Sequence, residues 1–132
     1  MNIIEKIKEL NFPKEHYVVI GSGTMDVLGI RKAQDIDISA SEELFEVLKN
    51  SGDWEEYEKY GRPFLKKDVF EINNQLNWDK YNTVLEEANK TALFIDGIPF
   101  LSLDELVKFK TASGREKDIQ DIKLIKEFQQ NN

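Results

Sequence analysis

At 132 residues, 40 % of them hydrophobic and 33 % charged, the chain has the length and composition of one compact domain with its own core, and a disordered chain is excluded. A net charge of −7 with no basic tail argues against general DNA or RNA binding, which needs clustered Lys and Arg, but leaves room for one nucleotide in a cleft. With no bilayer-length apolar stretch, no signal-peptide pattern at the first residues and no cysteine, the expectation is a cytoplasmic protein without disulfides, thiol chemistry or membrane attachment.

In chain order, Ile3, Ile4, Ile7 and Leu10 recur at helical spacing, so a helix is expected over Asn2 to Leu10, ended by Asn11-Phe-Pro13. Tyr17 to Ile20 reads as a buried strand. A short helix follows from Gly23 to about Leu28, closed by Gly29, and Gln34 to Ser39 reads as a second strand. Ser41 looks like an N-cap with Glu42 and Glu43 in the first turn of a helix that Asn50-Ser-Gly52 stops. Trp54 to Tyr60 and Phe64 to Asn73 read as two strands joined near Gly61-Arg-Pro63. Trp78 to Ala88 is left between helix and irregular chain. Thr91 to Ile95 and Ile98 to Leu101, joined by Asp96-Gly97, carry a hairpin signal. Ser102-Leu-Asp-Glu105 has the pattern of a capping box for a helix to about Ser113 with Gly114 behind it, and a last helix covers about Lys117 to Phe128. No repeat, low-complexity stretch or linker interrupts residues 1–132, which read as a single domain.

Two features of this series carry chemistry. Asp35 and Asp37 sit one residue apart on a strand, so both carboxylates are expected on one face. Like charges so placed repel unless a cation lies between them, and a hard divalent ion with oxygen ligands suits the pair. Twelve residues upstream, the apolar strand breaks at Gly21-Ser22 and enters a helix. Free N–H groups at such a turn favour a phosphate, small glycines allow its approach, and the Ser22 hydroxyl adds a donor. Each element also has a plain structural reading. Asp-Ile-Asp suits the exposed face of an edge strand, and Ser22 can be an ordinary N-cap.

The run Ile20-Gly21-Ser22 followed by Asp35-Ile36-Asp37-Ile38 resembles the nucleotidyltransferase superfamily related to DNA polymerase beta. The tail from Phe100 to Ile122 is similar to that of small bacterial nucleotidyltransferases, including lincosamide-modifying and abortive-infection toxin types. The resemblance implies an α/β (α+β) nucleotidyltransferase fold: a small mixed β-sheet with packed helices and a helical C-terminus. It implies transfer of a nucleoside monophosphate from an NTP to a hydroxyl of an unidentified acceptor (small molecule, protein or RNA). Two Mg²⁺ ions would be held by Asp35, Asp37 and a third carboxylate, for which Glu71 in Val69-Phe70-Glu71-Ile72 fits the family pattern. Gly21, Ser22, Arg31 and Lys110 are the candidate nucleotide-binding residues. A solvated loop arginine, an exposed helix lysine and a surface strand glutamate are the plain alternatives for Arg31, Lys110 and Glu71.

Charge is uneven along the chain. Seven acids lie between Glu42 and Glu58 against Lys49 alone, and six bases lie between Lys108 and Lys126 against three acids. The basic end is where a triphosphate would find compensation. Lys117 beside Asp118 and Asp121 reads as an ion-pair network, and His16 as a strand-border residue. Trp54, Tyr57, Tyr60 and Trp78 suit core or interface packing as well as stacking on a base. A homodimer or a partner protein would supply the acceptor-binding surface that a chain this short lacks. From a different class, a non-catalytic, antitoxin-like partner that keeps the fold for nucleotide binding is the competing reading.

Overall fold

The computed structural model describes residues 1–131. Its elements are α1 (Ile3–Leu10), β1 (Tyr17–Ile20), α2 (Gly23–Val27), β2 (Ile36–Ala40), α3 (Glu42–Ser51), β3 (Glu55–Lys59), β4 (Arg62–Lys67), β5 (Phe70–Asn73), α4 (Leu85–Lys90), β6 (Leu93–Ile95), β7 (Ile98–Phe100), α5 (Leu103–Ser113) and α6 (Glu116–Gln130). One mixed sheet runs in the order β3-β4-β5-β2-β1-β7-β6. β1 lies parallel to β7 and β2 parallel to β5; the other neighbours are antiparallel. This is the mixed α/β architecture, with a helical C-terminal end, that the resemblance implies. Among the described residues no helix is long and apolar enough to cross a membrane.

Local chemistry sets the helix ends. Asn2, Ser41 and Ser102 each accept a hydrogen bond from the N–H three residues on, at 3.2, 3.1 and 3.2 Å. Asn11, Gly52 and Gly114 close α1, α3 and α5 in the left-handed region. Only half of the box at Ser102 forms: the Glu105 carboxylate instead accepts from the Tyr81 hydroxyl and from Lys108.

Strand alternation divides the sheet into two unlike faces. On one face Val19, Ile36, Ile38, Leu65, Phe70 and Ile72 pack under Ile3 and Ile7 of α1 and Leu44 and Phe45 of α3. On the other face Val18 and Ile20 of β1 pack with Met25, Leu106 and Ile125 from α2, α5 and α6. That second cluster draws on β1 alone among the strands. On β2, β5 and β4 the same face carries Asp37, Ser39, Glu71, Asn73 and Arg62, aligned by the registers Ile20↔Asp37↔Glu71 and Ser39↔Asn73. Apolar cover stops where these polar side chains begin, and a cleft opens there.

Two expectations are corrected, and one segment left open takes a definite form. Phe64 to Asn73 is not one strand. A two-residue turn at Asp68-Val69 splits it into β4 and β5, with Lys67 opposite Phe70. Asp68 takes φ +54°, a conformation Asp tolerates. The change of parity betrays the break: Leu65 and Ile72 are both fully buried and face each other, which one continuous strand forbids. The second strand begins at Ile36 rather than Gln34, so Asp35 precedes it. Between Trp78 and Ala88 the chain is irregular up to a helix that starts only at Leu85, with Trp78 and Tyr81 joined in an isolated antiparallel bridge.

Candidate functional site

Gly21 follows β1 at φ +66°, and a Cβ there would stand 2.7 Å from Oδ2 of Asp37. The position therefore requires glycine twice over, for its left-handed backbone and for the close approach of the carboxylate. Gly23 is constrained differently: its missing Cβ would meet Val19 Cγ1 at 2.5 Å, so it lets α2 pack on β1. Ser22 occupies the N-cap position of α2, yet its hydroxyl makes no cap hydrogen bond. With five residues, α2 offers little dipole. What the turn presents is the Ser22 hydroxyl and the opening N–H groups, which lack intrahelical acceptors.

Asp37 and Glu71 are direct cross-strand partners on parallel β2 and β5, so their side chains share one face. Asp35 lines the same cleft from the exposed residue before β2. Burial, then the Glu71 carboxylate, pushes the Asp37 carboxyl up from its ordinary 3.8 to about 6, with Asp35 adding to the rise and Lys59 and Lys110 opposing it. Glu71 accepts a hydrogen bond from the Tyr57 hydroxyl and faces Lys59 Nζ at 3.4 Å. Burial, then this bond to Glu71, holds the Tyr57 hydroxyl well above its usual range. Among the described residues no three His, Cys, Asp or Glu side chains stand as a preassembled metal cluster. The cleft nonetheless offers the carboxylates of Asp35, Asp37 and Glu71, and oxygen donors of this kind suit a hard divalent cation.

Arg31 and Lys110 are placed in the cleft wall, and both are engaged by one residue. Asp121 accepts from Arg31 Nε at 2.7 Å and from a terminal Arg31 nitrogen at 2.8 Å. It also accepts from Lys110 Nζ at 2.8 Å. Asp118 lies 3.6 Å from Lys110 Nζ and accepts from Arg115 Nε at 3.0 Å. Burial alone would raise the Asp121 carboxyl, but the hydrogen bonds from Arg31 and Lys110 hold it down to about 2. Arg31 is thus no solvated loop arginine, and Lys110 is buried rather than an exposed helix lysine. The expected ion-pair network exists, built on Lys110, Arg31 and Arg115 rather than Lys117. His16 borders β1 as expected, its ring within 2.8 Å of the Ser41 hydroxyl.

Gly21, Ser22, Arg31, Asp35, Asp37, Glu71 and Lys110 line a cleft of about 390 Å³, a volume suited to one small ligand. Six bases face it (Arg31, Lys59, Arg62, Lys110, Arg115 and Lys117) against four acids (Asp35, Asp37, Glu71 and Asp118). A chain with net charge −7 therefore concentrates positive charge in one depression. Lys59, Arg62 and Arg115 were not singled out from the sequence as site residues. The Tyr60-Gly61 hairpin turn was the available signal, since it pairs Lys59 with Arg62 and puts both on the face of Glu71 once the register is known.

Residues 1–129 match the family described as "Nucleotidyltransferase of unknown function (DUF6036)", and the chain belongs to it. Neither a curated protein nor a solved structure matches the chain.

Proposed function

We propose that the cleft binds a nucleoside triphosphate and transfers its nucleoside monophosphate to an acceptor hydroxyl. The observation that carries this reading is the in-register pairing of Asp37 with Glu71 beside the Gly21-Ser22 turn, inside a basic cleft of a nucleotidyltransferase family member. Asp37, Glu71 and Asp35 would hold Mg²⁺, which when bound supplies charge neutralisation at the phosphates and at the attacking and leaving oxygens. The Ser22 hydroxyl, unused as a cap, donates to a phosphate oxygen. Lys59, Arg62 and Lys117 add charge around the polyphosphate. Asp121 holds Arg31 and Lys110 in place so that the wall stays cationic without collapsing onto the carboxylates. Glu71 already accepts a bond from a hydroxyl, that of Tyr57, and is positioned to take the proton of an acceptor hydroxyl in the same way.

The test is release of pyrophosphate from labelled NTPs by purified protein with Mg²⁺, with Asp37→Asn and Glu71→Gln as controls. Turnover lost in both variants is the expected result. Nucleotide binding without turnover in the wild type would favour the non-catalytic partner instead, and absence of binding to any NTP would overturn both.

A further inference from the structure

The cleft has an aromatic corner that the phosphate and metal chemistry leaves unused. Tyr60 sits at the tip of the β3–β4 hairpin, 59 % exposed, with its ring edge-on to Trp78 at 4.8 Å. Both residues line the cleft. Trp78 is fixed from two sides. Its backbone exchanges hydrogen bonds of 2.9 and 2.8 Å with Tyr81. The Arg62 guanidinium lies 5.4 Å from its ring centroid while donating to the Asn77 carbonyl at 2.6 Å.

The backbone at Tyr60 is the second observation. Three two-residue hairpin turns connect this sheet: Tyr60-Gly61, Asp68-Val69 and Asp96-Gly97. The first residue of each has positive φ, at 56, 54 and 52°. Such positions favour Asn, Asp and Gly, and a bulky aromatic there is strained. The turns at Asp68 and Asp96, which do not line the cleft, carry the residue the geometry prefers. The turn on the cleft carries tyrosine. Turn chemistry does not explain it, so the ring itself is the reason, and strain of this kind gathers where a side chain serves a ligand.

We propose that Tyr60 and Trp78 form the subsite for the nucleobase of the donor triphosphate, with the base stacking on Tyr60. Gln75 and Asn77 line the same cleft, and their side-chain amides would read the base edge. This rests on the nucleotidyltransferase reading and extends it. A cleft sized for one small ligand, with more bases than acids in its lining and aromatic at one corner, matches a nucleotide better than a bare polyphosphate. Stacking on an aromatic ring is tolerant of base identity, so Tyr60 supplies affinity and the amides supply choice.

The test uses a Trp54→Phe background. The chain has two tryptophans, and Trp54 packs on Phe70 under the opposite face, so Trp78 becomes the sole reporter. Non-hydrolysable NTP analogues with Mg²⁺ and inorganic tripolyphosphate with Mg²⁺ are titrated by fluorescence and calorimetry. Tyr60→Asn suits the turn, so it should keep or raise the melting temperature while weakening NTP binding roughly ten-fold or more. Tripolyphosphate binding should not change, and Tyr60→Phe should retain NTP affinity. Unchanged NTP affinity in Tyr60→Asn, or equal loss of tripolyphosphate, would overturn the base subsite and leave the nucleotidyltransferase reading standing. Failure of the parent protein to bind either probe would remove both.

Discussion

Asp37 lines the cleft, Asp121 stands behind two of the bases that line it, and these two residues of one type are set to opposite ends of the carboxylate range. Asp37 lies beside Glu71 and near Asp35, and it is pushed up to about 6. Asp121 lies between Arg31 and Lys110 and is held down to about 2. Burial disfavours the charge in both cases; the sign of the neighbours decides the outcome. The wall is a satisfied network that holds α6 to α5 and to the loop carrying Arg31. The floor is a frustrated cluster, in which burial and like charges disfavour the charged form of Asp37.

The largest effect should come from breaking the wall. Asp121→Asn leaves Lys110 buried and Arg31 without its carboxylate partner, and removing one member of a buried ion network costs about 3–5 kcal/mol. Denaturant unfolding at neutral pH measures it; a loss near zero would mean that the network is ornamental and that the contrast with Asp37 has no energetic content.

Asp37→Asn should act in the other direction. The folded-state value of Asp37 lies above its ordinary one, so its contribution favours folding below about pH 4 and is lost as pH rises through about 6. At pH 7 without divalent metal the variant should therefore be more stable than the wild type, by about 1–3 kcal/mol after allowing for solvent screening. Mg²⁺ should raise the melting temperature of the wild type and not of the variant. Melting curves from pH 4 to pH 8, with and without Mg²⁺, check the sign, and a destabilised variant at pH 7 would make Asp37 a structural residue like Asp121.

Ser22→Ala should be the quietest for stability. With no cap bond to lose, the change should stay within about 0.5 kcal/mol. A charge-assisted bond to phosphate contributes about 1.5–3 kcal/mol, so NTP affinity should fall about ten-fold or more. Calorimetric titration alongside melting separates the two effects, and a stability loss near 1 kcal/mol with unchanged affinity would return Ser22 to the role of an ordinary cap.

The turn at Gly21-Ser22, the strand carrying Asp37, the hairpin at Asp96-Gly97 and the capped helices after Ser41 and Ser102 were all legible along the chain. Each rests on local rules, in which a residue's backbone preference or its neighbour three positions on decides the conformation. The motif pairing that resembles nucleotidyltransferases was legible too, and with it came the mixed α/β architecture that the resemblance implies. The sequence by itself did not determine that Glu71 lies directly opposite Asp37, because strand register between β2 and β5 is a long-range choice set by burying Ile38 against Ile72. Nor did it determine that Arg31 meets Asp121 across ninety residues, or that Lys59, Tyr60 and Arg62 reach the cleft. Charge and ring positions are local facts of sequence. Which charges meet is decided only when the apolar face of the sheet has closed, since that packing fixes where every polar side chain on the opposite face must stand.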